Sequence, residues 1–270
     1  MPHPIPHTSR PNWQMGTYSF FLLLLLIPCY ANTFNASWQL DDNPNIVNNQ
    51  RLHIDNLWPE TLWSTFFAKP GVDDKLYRPV AMVSFALNWF VGRDNPAGYH
   101  MVNLGIHILN SLLVYLLILR LLQTPSMEKR YVPEDASFIA MVGALLWALN
   151  PIQTQAVAYV VQRMALLAAL FYLLCLLGYL NARMSSQTRA CIWYAIGIFV
   201  CYLLAVGSKE NAVLMPVALV LVEWVFFSSA KETTETYKRI PWLEVALVLA
   251  FLLVFSLFAF SGQLAFLFDG

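Results

Sequence analysis

Long apolar runs free of Asp, Glu, Lys and Arg recur along the chain, separated by short charged segments. They cover residues 11–40, 95–119, 136–162, 164–182, 190–208 and 245–268, and a further run, 211–230, is interrupted only by Glu223. A membrane-crossing helix needs about 20 mostly apolar residues. The pattern therefore predicts seven spans, near 17–34, 100–121, 137–149, 164–181, 190–206, 211–228 and 243–265. The third is short and meets Asn150-Pro151, where the missing proline N–H is expected to end the helix. The first run also fits a secretory signal peptide, with residues 22–27 as its apolar core and Cys29-Tyr30-Ala31 as a cleavage site. Either reading leaves the remaining segments on the same sides.

Composition sharpens this picture. Of 270 residues, 58% are hydrophobic and 12% charged, against about 25% charged in an average globular chain. Mean hydropathy is +0.54. Too little polar surface is present for a soluble enzyme, a disordered chain or a disulfide-stapled secreted module. Net charge is zero, with 16 cations and 16 acids, so no nucleic-acid footprint exists. Cys29, Cys175, Cys191 and Cys201 lie in apolar runs without metal spacing and read as small hydrophobes.

The positive-inside rule sets the orientation. With the N-terminus cytoplasmic, the inner side holds Arg10, Arg120, Lys129, Arg130, Arg183, Arg189, Lys231, Lys238 and Arg239. The outer side holds Arg51, Lys69, Lys75, Arg78, Arg93, Arg163 and Lys209, five of them in one long loop where the rule acts weakly. The expected fold is an all-α, polytopic membrane bundle, residues 1–270 forming one transmembrane module. Its long first outer loop, 36–99, is a subdomain carrying Asp41, Asp42, Asp55, Glu60, Asp73, Asp74 and Asp94. Aromatic and aliphatic residues there recur at helical spacing and predict two short helices, near 57–68 and 78–91, lying on the outer leaflet. The alternative is that the same residues form the core of a loop domain packed on the bundle.

Three outer segments bring candidate chemistry to one membrane face. They supply the acids Asp41-Asp42, the cations Arg78, Arg163 and Lys209, and the polar groups His100, Asn103, Asn150, Gln153, Gln155 and Glu210. A carboxylate takes a proton from an acceptor hydroxyl, while Arg and Lys hold a phosphate and stabilise it as it leaves. An acid pair beside a membrane helix is, taken alone, most often a solvated loop feature. Adjacent Asp residues also bind Mg²⁺ or Mn²⁺, although a lone pair falls short of a metal cage. His107 and Asn110 share a helix face and read as interhelical hydrogen-bonders, and Glu223 as a snorkelling or ion-paired structural acid. Asn35-Ala36-Ser37 is a glycosylation sequon. No P-loop, GxSxG, zinc spacing or internal repeat is present.

The motifs fall in a characteristic order. Trp38-Gln39-Leu40-Asp41-Asp42-Asn43-Pro44-Asn45 is followed by Tyr77-Arg78-Pro79 and Gly98-Tyr99-His100-Met101-Val102-Asn103. Then come Asn150-Pro151-Ile152-Gln153-Thr154-Gln155-Ala156-Val157, Gln162-Arg163-Met164 and Ser208-Lys209-Glu210-Asn211-Ala212. Over about residues 36–225 this set resembles the membrane part of the transmembrane-and-TPR-repeat proteins, O-mannosyltransferase-like members of the GT-C glycosyltransferase superfamily, and most of all their bacterial branch. The resemblance implies a GT-C-like fold and a polyprenyl-phosphate-linked sugar as donor. It also implies an essential Asp in the first outer loop, here Asp41-Asp42. The animal pattern has His, His and Glu where this chain has Asn150, Gln153 and Gln155, which removes titratable groups from the second outer loop. Family members continue into further spans and a TPR array, so a chain ending at Gly270 is expected to be a C-terminally truncated product or a fragment.

The expected function is thus a glycosyltransferase module acting from a polyprenyl phosphate onto a protein or glycan acceptor on the extracytoplasmic face. The expected setting is the bacterial inner membrane, or the ER membrane in a eukaryote. The competing reading is a non-catalytic scaffold or inactive remnant of the family. A transporter is disfavoured because the ionisable groups sit in loops rather than at mid-bilayer.

Overall fold

The computed structural model describes residues 13–72, 75–128 and 130–227. Among the described residues every regular element is helical: α1 Trp13–Tyr30, α2 Pro59–Ser64, α3 Pro79–Gly92, α4 Pro96–Leu122, α5 Pro133–Ala148, α6 Gln153–Ala158, α7 Arg163–Met184, α8 Thr188–Val206 and α9 Met215–Phe227. The chain is an all-α membrane bundle, compatible with the GT-C-like architecture. Four helical stretches are long and apolar enough to cross a membrane, namely Pro96–Leu122, Val160–Met184, Thr188–Val206 and Glu210–Phe227. The seven-span count is not reached among the described residues. The first predicted span appears as a shorter apolar helix, Phe20–Asn35, the third, α5, has 16 residues, and the seventh, 243–265, lies outside the described residues.

Helix α7 is the centre, packed between α4 and α8. On the far side of α4, α1 buries Tyr18, Leu22, Leu26 and Tyr30, one residue per turn, while α5 buries Ala136, Ala140, Ala144 and Ala148 at the same spacing. Large side chains on one helix meet small ones on another, which lets backbones approach closely without a water-driven hydrophobic force. Tyr18 stacks on Tyr115 at 4.5 Å between ring centroids. The polar positions of α4 lie on its buried face and bond across the bundle: His107 Nε2 contacts the Ala148 carbonyl at 3.0 Å, and Asn110 Nδ2 donates to the Leu166 carbonyl at 3.0 Å. At the opposite end of α7, Arg183 pairs with Glu223 of α9 at 2.8 Å, and Tyr179 donates to the same carboxylate at 2.6 Å.

The first loop folds onto this bundle. The two helices expected there form as α2, continued by a turn at Thr65–Phe67, and as α3. Ile46, Leu52, Ile54 and Ala68 share a core with Ala81, Met82, Phe85 and Ala86 of α3 and with Val160, Val161 and Met164 beneath. Part of the loop's apolar surface is therefore a packed core. Another part faces outward, with Trp58 68% and Trp63 60% exposed.

Candidate functional site

The start of α3 is seated on the turn between α8 and α9. Val80 N donates to the Gly207 carbonyl at 3.0 Å. A Cβ on Gly207 would stand 3.0 Å from Val80 Cγ2 and 3.1 Å from the Leu203 carbonyl, so a larger residue fits only if these neighbours give by a few tenths of an ångström. Pro79 fixes the first helical position of α3, and Arg78 before it turns to φ 42°, the left-handed region rarely used by non-glycine residues. These constraints carry the Arg78 guanidinium to Glu210. Nε donates to Oε1 at 2.8 Å, Nη2 to Oε2 at 2.9 Å, and Nη1 meets the Met164 sulfur at 2.8 Å. Lys209 Nζ reaches Gln162 Oε1 at 3.4 Å. Burial lowers the Lys209 pKa, neighbouring Arg78 lowers it further, and Glu210 pulls it back up.

The two acids diverge. Asp42 is 1% exposed. Its Oδ2 accepts from Gln39 N at 3.0 Å and its Oδ1 from Val161 N at 2.7 Å, tying the long loop after α1 to the segment that leads into α7. Burial raises the Asp42 pKa, opposed by these amides. Asp41 is exposed, but its backbone is clamped: its N–H donates to the Tyr159 hydroxyl at 2.8 Å and its carbonyl accepts from Asn45 Nδ2 at 2.9 Å. Tyr77, whose hydroxyl contacts Asn45 at 3.5 Å, stands within electrostatic range of Arg78, Glu210 and Asp41 together. Its pKa is raised, chiefly by burial. Both Asp42 oxygens hold amides, so the pair does not present two adjacent carboxylates to a divalent cation. Among the described residues no three His, Cys, Asp or Glu side chains cluster at metal-binding distance.

Arg163, expected beside Arg78 and Lys209 as a phosphate ligand, lies inside the protein at 0% exposure. Its Nε donates to Asn103 Oδ1 at 2.8 Å, Nη1 to the Ser84 carbonyl at 3.1 Å and Nη2 to the Tyr99 carbonyl at 3.0 Å. Its guanidinium also lies over the Phe85 ring. In this arrangement it joins α3, α4 and α7 and offers no open edge to a ligand. Asn103, also fully buried, passes the restraint on by donating to the Val160 carbonyl at 3.2 Å, beside Tyr159. His100 is 1% exposed, against the backbone of Ala36 without a well-formed hydrogen bond to it. The helical period of α4 turns His100 and Asn103 inward, away from the open face. Asn150 is exposed and caps its own turn, accepting from Ile152 N at 3.0 Å; Gln153 is half-buried and Gln155 exposed at the start of α6.

The structure thus brings Arg78, Lys209 and Glu210 together, links Asp41 to them through Asn45 and Tyr77, and sets Asp42, Arg163, Asn103 and His100 in the framework beneath. Sequence reasoning missed Tyr159 and Asn45 as the clamps on Asp41. Both lie within or between the ordered motifs, and that proximity was their only signal.

Known proteins are similar to this chain over much of its length. The chain is 31% identical over 211 residues to protein O-mannosyl-transferase TMTC4 of Mus musculus, covering 73% of this chain and 27% of that protein. It is 32% identical over 189 residues to protein O-mannosyl-transferase TMTC2 of Homo sapiens (68% and 21%) and 30% identical over 202 residues to protein O-mannosyl-transferase Tmtc3 of Drosophila melanogaster (69% and 22%). At about 30% identity over most of the chain, these similarities support that family. The chain spans about a quarter of the length of the first of these relatives. No family model matches, and no solved structure matches.

Proposed function

We propose, from the chain's membership of the O-mannosyl-transferase family, that it is a GT-C-type glycosyltransferase module. It moves a sugar from a polyprenyl-phosphate-linked donor to a hydroxyl of a protein or glycan acceptor on the extracytoplasmic face. The observation that most supports this reading is that the Arg78–Glu210 pair, beside Lys209, packs over the Tyr77 ring, and Tyr77 is joined through Asn45 to the backbone of the exposed Asp41. Asp41 takes the proton of the acceptor hydroxyl as that oxygen attacks the anomeric carbon. The bond from that carbon to the phosphate oxygen breaks, and the polyprenyl phosphate leaves with the electron pair. Lys209 and Arg78 stabilise the charge it gains. One base and a direct displacement invert the anomeric centre. Asp42 is a positioning residue: it fixes the loop on which Asp41 rides.

A cleft of about 300 Å³ lies among α4, α5 and α7, lined by Val114, Trp147, Ala168, Tyr172 and Leu173 and bordered by Asn211, two residues from Lys209. Its largely apolar walls suit the isoprenoid chain of a donor whose phosphate rests at Lys209.

The test uses the full chain in lipid nanodiscs with labelled polyprenyl-phosphate sugars. Asp41→Asn keeps size and polarity but removes the base, which typically costs about 10²–10⁴-fold in rate. Transfer by the parent, lost in Asp41→Asn with donor affinity retained, is the expected outcome. Equal rates in parent and variant remove Asp41 from the chemistry. Donor binding without any transfer by the parent leaves a lipid-binding scaffold instead.

A further inference from the structure

We infer that Glu210 is a positioning residue for the phosphate site: it holds the Arg78 fork so that the remaining edge of that guanidinium and the Lys209 ammonium together receive one phosphate. This deepens the reading above and rests on Arg78 and Lys209 being the phosphate ligands. Three observations carry it. First, Glu210 grips Arg78 through two nitrogens, Nε at 2.8 Å and Nη2 at 2.9 Å, the bidentate geometry that fixes a guanidinium plane. The Arg78 and Glu210 side chains are only 23% and 35% exposed, so water competes weakly for this pair. Second, the groups left over are poorly satisfied. Nη1 of Arg78 rests on the Met164 sulfur, a weak acceptor, and Lys209 Nζ has only a long 3.4 Å contact to Gln162. A phosphate oxygen is a better acceptor for both. Third, Glu210 and Asp41 balance the two cations, so a phosphate is drawn by aligned donors rather than by a net charge, and the orientation that Glu210 imposes on Arg78 decides whether they converge.

Glu210 also sustains its neighbour. Burial and Arg78 both oppose the charge on Lys209, and Glu210 favours it. Arg78 adopts its left-handed backbone on the Gly207 seat, so the fork cannot realign by sliding α3. The carboxylate is what fixes it in rotation.

Two other roles for Glu210 make different demands. As a competing anion seated where the phosphate belongs, it would weaken lipid binding in the parent. As a contact to a sugar hydroxyl, it would matter only when a sugar is present. The experiment measures binding of a fluorescent bare polyprenyl monophosphate, and of the same lipid carrying a sugar, to the full chain in nanodiscs. The variants are Glu210→Gln, Arg78→Lys and the double variant. We expect Glu210→Gln to weaken the bare lipid about tenfold or more, the usual scale for a charge-assisted hydrogen bond. Arg78→Lys keeps the charge but has no fork for Glu210 to hold. It should weaken binding alike, and adding Glu210→Gln to it should cost less than twofold more. Near-parent thermal unfolding of Glu210→Gln separates this from misfolding; if that variant unfolds, the same cycle is run with Glu210→Asp. Tighter binding by Glu210→Gln, an effect confined to the sugar-bearing lipid, or fully additive losses in the double variant each overturn the inference. A parent that binds neither lipid overturns the phosphate reading itself, and the inference with it.

Discussion

Asp42 spends both oxygens on amides from two different loops, while Asp41 beside it keeps an exposed side chain on a clamped backbone. Replacing Asp42 with Ala leaves the Gln39 and Val161 amides unpaired, at about 1–3 kcal/mol for each group that stays buried. Asp42→Asn keeps one acceptor oxygen and removes a charge that burial disfavours. The expected order of thermal stability in detergent is parent, then Asp42→Asn, then Asp42→Ala; Asn and Ala in the reverse order would mean that the amide bonds are not what holds the loops together. Lys209 gives a pH dependence. Its pKa is depressed, and the anion-binding form is the protonated one, so binding is present below that pKa and fades as pH rises through it. Affinity for bare polyprenyl phosphate, measured from neutral to alkaline pH, should decline earlier than an ordinary lysine would allow. In Lys209→Arg, which stays protonated, the decline should disappear.

At the scale of elements, α3 is aimed by its seat rather than by its own sequence. Gly207→Ala adds a Cβ that meets Val80 Cγ2 at 3.0 Å and presses on the start of α3. We expect it to weaken binding of polyprenyl phosphate severalfold, and Val80→Ala to restore part of the loss by making room. No recovery would place the cost in the Leu203 carbonyl contact instead. This seat was not legible in the sequence, because Gly207 lies far from Val80 along the chain and no pattern links them. What was legible is periodic. The helices in the first loop and the four long spans follow from apolar spacing. His107 and Asn110 of α4 could be read as one buried face, while His100 and Asn103, expected as substrate contacts, prove to continue that face inward. The partners of this face could not be read, since the acceptors at Ala148, Val160 and Leu166 are backbone carbonyls, which every residue carries. Arg163 shows the same limit. A cation at the mouth of a span reads as a ligand site, yet carbonyls of Ser84 and Tyr99 and the amide of Asn103 draw it inside.

For the whole molecule, α7 sets the scale. Its 22 residues at about 1.5 Å each reach about 33 Å, close to the roughly 30 Å of a bilayer's hydrocarbon. Arg163 at one end and Arg183 at the other are both buried and bonded within the protein, so the helix closes its own polar ends. The Arg163 end carries Asp41, Arg78 and Lys209, and the Arg183 end carries the loop 185–187 and Arg189. The cation distribution favours placing the Arg183 end in the cytoplasm, which puts the proposed transfer outside. Single cysteines test this on a background with Cys29, Cys175, Cys191 and Cys201 replaced by Ala. Asp55→Cys and Gln153→Cys should react with an impermeant thiol reagent added to intact cells, and Ser186→Cys only after permeabilisation. Reversed labelling would put Asp41 in the cytoplasm and remove the extracytoplasmic acceptor from the proposal. Labelling of all three from outside would mean that α7 does not cross the bilayer, contrary to its length and closed ends.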